Sequence, residues 1–142
     1  MSQNRTDIAR KFIEAIPFSQ ALSMRLEEIG EGVAEISMPY DPQIVGDPKS
    51  GVISGGAVSA LMDTCSGAAV MSHPTGPLAT ATIDLRIEYM RSATPGQRIK
   101  TRAECYHVTR SVAFVRATAF DDDSSNPVAA ATGAFTVERA KP

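Results

Sequence analysis

The chain has no excess of basic charge, no long uninterrupted apolar run, no cysteine pair at metal or redox spacing, no repeat and no low-complexity segment, and each lack removes a class of function. A formal charge of −2 and a pI of about 5.6 leave no basic stripe, so DNA and RNA binding are set aside. The amino-terminal stretch MSQNRTDIARKF lacks the apolar core of a signal peptide, and the most apolar segment, residues 51–72, is broken by Asp63 and small polar residues. Neither export nor a membrane span is expected, and the expected location is the cytoplasm. Cys65 and Cys105 lie far apart without CxxC or Cys/His spacing, so both are read as buried reduced thiols. What is present is 142 residues, 43% hydrophobic and 21% charged, which suits one soluble globular domain over residues 1–142 with a core of its own.

The rest of the chain is organised around residues 51–72, GVISGGAVSALMDTCSGAAVMS. Ser54 before Gly55-Gly56 is an N-cap, and the helix that follows is apolar almost all round, the mark of a buried element. A lone ionised carboxylate costs several kcal/mol in such a setting, so Asp63 must have partners, be neutral or face a cavity.

Thr6 or Asp7 can cap a short packing helix carrying Ile8, Phe12, Ile13 and Ile16, which Pro17 stops; residues 1–20 are this helix and its lead-in. Met24, Leu26 and Glu28, then 33–38, flank Gly30-Glu31-Gly32 as a hairpin. The proline-rich loop 39–49 is long enough to cover or line a site. Residues 78–90 alternate strictly, with Ala79, Ala81, Ile83, Leu85, Ile87 and Tyr89 on one face and Thr80, Thr82, Asp84, Arg86 and Glu88 on the other. Strands follow at 98–108, 112–121 and 128–138. One apolar helix among about six antiparallel strands predicts an α+β fold, a curved sheet wrapped round the central helix. Its open edge predicts pairing with a second copy, a homodimer at least.

These residues resemble the hotdog-fold acyl-CoA thioesterases of the phenylacetate-pathway PaaI type. The resemblance covers residues 32–137 and is carried by Ser54-Gly55-Gly56, Leu61-Met62-Asp63, the strand TIDLRIEYM at 82–90 and the turn Ala93-Thr94-Pro95-Gly96. That family has a His-Gly-Gly turn with a helical acid nine residues on; Asp63 keeps the offset, but Ser54 stands at the histidine position. The resemblance implies a hotdog fold and hydrolysis of an acyl-CoA thioester, with coenzyme A as part of the substrate and no cofactor. It implies that Asp63 orients or deprotonates water, or attacks the thioester directly, and that Gly55 offers its N–H to the thioester carbonyl. Asp47 would match an asparagine that holds the water, and Thr82 a hydroxyl supporting the acid. It further implies that the turn and the acid of one site come from different subunits, in a homodimer or, more commonly in such families, a homotetramer.

Physical chemistry supports that mapping, since a helix N-terminal amide is a donor for a developing oxyanion and Gly55-Gly56 permits close approach of substrate. Two carboxylates, Asp47 and Asp63, beside one water would repel, leaving one protonated. Ser54 lacks a G-x-S-x-G elbow and is read as a cap beside the substrate, with Gly56 next to it. Arg91 and Arg110 are candidates for the coenzyme A phosphates. Asp121-Asp122-Asp123 reads as a solvated turn and not a metal site. His73 and His107 read as surface residues. A non-catalytic acyl-CoA-binding or regulatory module of the same fold is the alternative function, and a dehydratase ranks behind it because no histidine lies near Asp63 in sequence.

Overall fold

A computed structural model describes residues 3–141, with side chains from residue 6 onward; residues 1 and 2 of the expected lead-in, and residue 142, lie outside the described residues. The chain runs through α1 (Gln3–Ala15), α2 (Pro17–Ala21), β1 (Arg25–Gly30), β2 (Val33–Met38), a 3₁₀ turn (Pro42–Ile44), β3 (Val45–Asp47), β4 (Val52–Ile53) and α3 (Gly55–Met71). It ends with β5 (Thr82–Tyr89), β6 (Ile99–Val108), β7 (Val112–Phe120) and β8 (Ala129–Thr136). Six strands form one antiparallel sheet in the order β1-β2-β6-β7-β8-β5, and α3 lies across it, packed mainly on β6, β2 and β7.

Burial explains why α3 sits there. Leu61, Met62, Cys65, Ala69 and Val70 are fully enclosed against Ile36, Ala103, Val115 and Phe135 of the sheet, each large side chain contributing about 1.5–3 kcal/mol. The Cys65 thiol donates at 3.3 Å to the Ala34 and Thr101 carbonyls, and burial pushes its pKa up to about 12, leaving an unreactive group. Both cysteines are free and buried, as their spacing predicts. The helix is less enclosed than its composition suggests: Asp63, Thr64 and Gly67 are half-buried and Met71 is exposed, because the sheet covers only one side.

Local chemistry sets the joints. The β1–β2 hairpin turns through Glu31 and Gly32 with φ of 53° and 82°, the paired positive values of a tight turn matched to sheet twist. Gly32 N–H then donates to the Ser72 carbonyl at 3.1 Å, tying this turn to the end of α3. Pro17 does not simply stop the first helix. It opens α2 from its first turn, where its missing N–H costs nothing. α1 begins at Gln3, so Thr6 and Asp7 lie inside it rather than capping it.

The strand predicted over 78–90 is regular only from Thr82. Residues 78–81 meet the chain just past β8 through a single bridge, Ala79 with Glu138, and the Thr136 hydroxyl at the end of β8 accepts from Ala81 N–H at 2.9 Å. The loop predicted over 39–49 contains the unanticipated strand β3, which pairs with β4 just beyond the loop in a hairpin too short to show periodicity.

Candidate active site

Asp63 meets a hydroxyl from the neighbouring strand: Thr82 Oγ1 donates to Asp63 Oδ1 at 2.6 Å. The register of β5 produces this contact. Strict alternation would put Ile83 on the face shared by Leu85 and Ile87, but a bulge between Thr82 and Asp84 shifts the phase by one residue and turns Thr82 toward α3. Ile83 is consequently exposed. The bulge is secured by Asp84, whose Oδ1 accepts from Ala134 N–H at 2.9 Å. Beside it, Gly133 is required by close approach, since a Cβ there would run into the Asp84 carbonyl and come 2.8 Å from Leu85 Cδ1.

At its other end, α3 presents an exposed donor. Ser54 caps the helix with φ −56° and ψ 134°, its Oγ accepting from Gly56 N–H at 3.2 Å. Gly56 N–H is thereby committed to the cap. Gly55, the first helical residue, has an amide for which the helix itself supplies no acceptor. The β3–β4 hairpin holds this end in place: Ser54 N–H donates to the Ile44 carbonyl at 2.8 Å, and Gly46 packs so tightly that a Cβ would lie 2.9 Å from Ser54 Cα. Tyr89 locks the other side, donating to the Gly55 carbonyl at 2.8 Å and accepting from the Ser59 hydroxyl. Tyr89 was legible as a strand residue only; nothing in its spacing signals this contact.

Asp63 and Thr82 also stand on the rim of a cleft of about 510 Å³. Its floor is the Asp63–Gly67–Met71 face of α3, one wall is α1 through Phe12 and Ile16, and the other is the irregular segment 78–82. The terminal helix is thus a wall as well as packing: Ile13 is buried, while Phe12 is 73% exposed.

Three sequence readings need correction. Asp47 does not stand as a second carboxylate pushed toward protonation. It accepts from Ser50 Oγ at 2.7 Å and Lys49 N–H at 3.1 Å within its own exposed turn, and the Ser50 hydroxyl holds its carboxyl below the usual range. Arg91 has four of its five N–H donors engaged, two in a two-pronged pair to Asp121 at 2.7 and 2.8 Å and two on the Asn126 and Ser92 carbonyls. It is a clamp, not a free phosphate ligand. Asp121, expected to be solvated, is only 5% exposed and also accepts from Thr94 N–H and Oγ1, so it stitches the 93–97 turn to the sheet. The Arg91 guanidinium holds its carboxyl well below the usual carboxylate range. Arg110 is exposed in the β6–β7 turn, at the end of β8 where Phe135 faces Thr82. Among the described residues, no group of three or more His, Cys, Asp or Glu side chains is placed to hold a metal, and no helix is long and apolar enough to cross a membrane.

Comparison with known proteins agrees with this architecture. The medium/long-chain acyl-CoA thioesterase YigI of Escherichia coli strain K12 is 24% identical over 143 residues, covering 92% of this chain and 91% of that protein. A Pseudomonas aeruginosa protein of solved structure is 38% identical, with a TM-score of 0.82 over 94% of this chain and 98% of its own. The E. coli PaaI protein of the phenylacetic acid degradation operon superposes with a TM-score of 0.83 over 99% of both chains at 18% identity, a likeness of fold. The pattern of the thioesterase superfamily matches residues 50–128, which span β4, α3, β5, β6 and β7. With its α+β hotdog fold of one long helix on a six-stranded curved sheet, the chain belongs to the thioesterase superfamily.

Proposed function

We propose that the protein hydrolyses acyl-CoA thioesters to a carboxylic acid and coenzyme A. The observation that carries this reading is the Thr82–Asp63 hydrogen bond of 2.6 Å at the mouth of an apolar cleft. Asp63 takes a proton from water as the water oxygen bonds to the thioester carbonyl carbon. The oxyanion so formed accepts from the Gly55 N–H at a helix N-terminus. Its collapse breaks the C–S bond, and the proton returns from Asp63 to the departing thiolate. Thr82 fixes the carboxylate through one oxygen and leaves the other for water. Ser54 acts through the cap rather than as a nucleophile. Arg110 meets the phosphates of coenzyme A; Arg91 and Asp47 are left out because their polar groups are already engaged.

The site also calls for two chains. Gly55 and Asp63 are eight residues apart on one straight helix, about 12 Å along its axis, too far for one thioester carbonyl and its attacking water to use both. A homodimer with two copies of α3 side by side supplies the acid from one copy and the amide from the other, and β5, an edge strand, is available for pairing. A homotetramer would stack such dimers. The experiment is a panel of acyl-CoA substrates assayed for free thiol with the wild type and Asp63→Asn. Thiol release lost in the variant supports the reading; release unchanged by the substitution refutes it, and binding without any turnover leaves the non-catalytic module.

A further inference from the structure

We infer that the cleft between α1 and α3 is the acyl-chain site and that it measures an unbranched aliphatic chain of medium length, with Gly67 as its depth gauge; this rests on the hydrolytic reading of Asp63. The cleft begins at the reacting groups. Asp63, Gly67 and Met71 recur every four residues and so line one face of α3, running from the carboxylate away from the rim. An acyl group whose carbonyl lies at Asp63 has this face as the continuation of its path. Its surroundings are mainly apolar, with Phe12 and Ile16 on one side, Leu78 on the other and Phe135 at the back, and Thr64, Thr80 and Thr82 the polar exceptions beyond Asp63.

Gly67 carries the argument further. A glycine within a helix costs stability relative to alanine, so its presence calls for a reason. Crowding is not the reason, since a Cβ at Gly67 would meet nothing nearer than Phe135 Cε2 at 3.9 Å and Thr80 Cγ2 at 4.0 Å, ordinary contact distances. A side chain there would instead fill the cleft midway along its floor. The segment 78–81 serves the same end by leaving the regular ladder, with the Thr80 hydroxyl donating to the Thr136 carbonyl and the Ala81 N–H donating to the Thr136 hydroxyl at the end of β8. From Asp63 to Met71 the floor is about 12 Å long at 1.5 Å per residue. A zigzag carbon chain with bonds of about 1.5 Å advances about 1.25 Å per carbon, so roughly ten carbons fill it. The open side of the cleft suits a flexible aliphatic chain, while a flat aromatic acyl group would leave the Met71 end empty.

Isothermal titration of the Asp63→Asn protein, expected to hold substrate without turnover, with butyryl-, octanoyl-, decanoyl- and myristoyl-CoA tests this directly. Affinity is expected to rise with each added methylene by about two- to fourfold, in line with burial of a CH₂, and to level off near ten carbons. Adding Gly67→Val is expected to cut the decanoyl-to-butyryl affinity ratio by about tenfold or more. Gly67→Ala, for which the space exists, and Phe12→Ser, at an exposed site, are expected to lower the same ratio without loss of folding, checked by thermal melts. Affinity independent of chain length, or a ratio unmoved by all three substitutions, overturns the inference; that is also the outcome if a second copy of the chain, rather than an acyl group, fills the cleft. Length-dependent binding by a wild type that releases no thiol sustains the acyl site while the hydrolytic reading falls. Turnover with no length dependence does the reverse.

Discussion

The sharpest perturbation available is Gly55→Pro, because it deletes one hydrogen-bond donor and little else. Proline is favoured at the first position of a helix, where its fixed φ suits the backbone and its missing N–H breaks no helical bond. The preceding residue must be extended, and Ser54 already is, with ψ of 134°. The ring must also fit beside Tyr89, where a Cβ would sit 3.4 Å from Cε1, tight but against a side chain at the surface. The cap from Ser54 to Gly56 N–H is untouched. Loss of a single donor to a developing oxyanion costs about 10²–10³ in kcat; because Gly55 is exposed, the expected loss is near the lower figure, about 100-fold, or 2.7 kcal/mol. Thiol release from an acyl-CoA gives kcat and KM, and circular dichroism with a thermal melt verifies the fold. Gly55→Ala, which keeps the N–H, is the control and should retain most of the activity. A folded proline variant turning over at the wild-type rate would refute the role of this amide.

Thr82→Val keeps the shape of the side chain and removes the hydrogen bond to Asp63; a bond to a charged group is worth about 1.5–3 kcal/mol, so kcat should fall about tenfold or more with KM little changed, and Thr82→Ser should restore it. Gly133→Ala forces a Cβ into the backbone of β5 at the bulge, so a loss of about 1–3 kcal/mol in denaturant unfolding is expected together with reduced turnover; full stability would contradict the close approach. For Asp121, a folded-state pKa held below the unfolded value of about 3.9 means that its contribution is fully present above that pH and is lost as pH falls through the lower folded value. Thermal melts should therefore show Asp121→Asn less stable than the wild type at pH 7, with the gap narrowing below pH 4; a gap that persists unchanged at low pH would contradict the ion pair with Arg91.

The local signals in the sequence were sufficient for most of the frame. Ser54 before two glycines marks the cap, the apolar run after it marks α3, and the runs containing Leu26, Val33, Leu85, Ile99, Val112 and Ala129 mark the six sheet strands. The reading faltered wherever the outcome depended on a partner distant in sequence. Strict alternation over 78–90 hides the bulge at Thr82, because a bulge is defined by the opposite strand, here Phe135 and Ala134. Asp121 looks like one of three solvated acids until Arg91, thirty residues away, closes on it. The same pairing removes Arg91 from the list of free cations, a fact that exposure-prone residue types cannot reveal. Phe12 and Ile16 show helical spacing, but only the position of α1 beside α3 turns them into the wall of a cleft.

The central claim is that one site takes Asp63 from one copy and the Gly55 amide from another, and mixing two inactive variants tests it most directly. Asp63→Asn and Gly55→Pro chains, unfolded and refolded together in equal amounts, form mixed dimers in about half of cases, and each mixed dimer has one intact site of two, so thiol release should recover to about one quarter of the wild-type level. Refolded mixtures no more active than either variant alone, with mixed dimers verified by tags of different size, would contradict it.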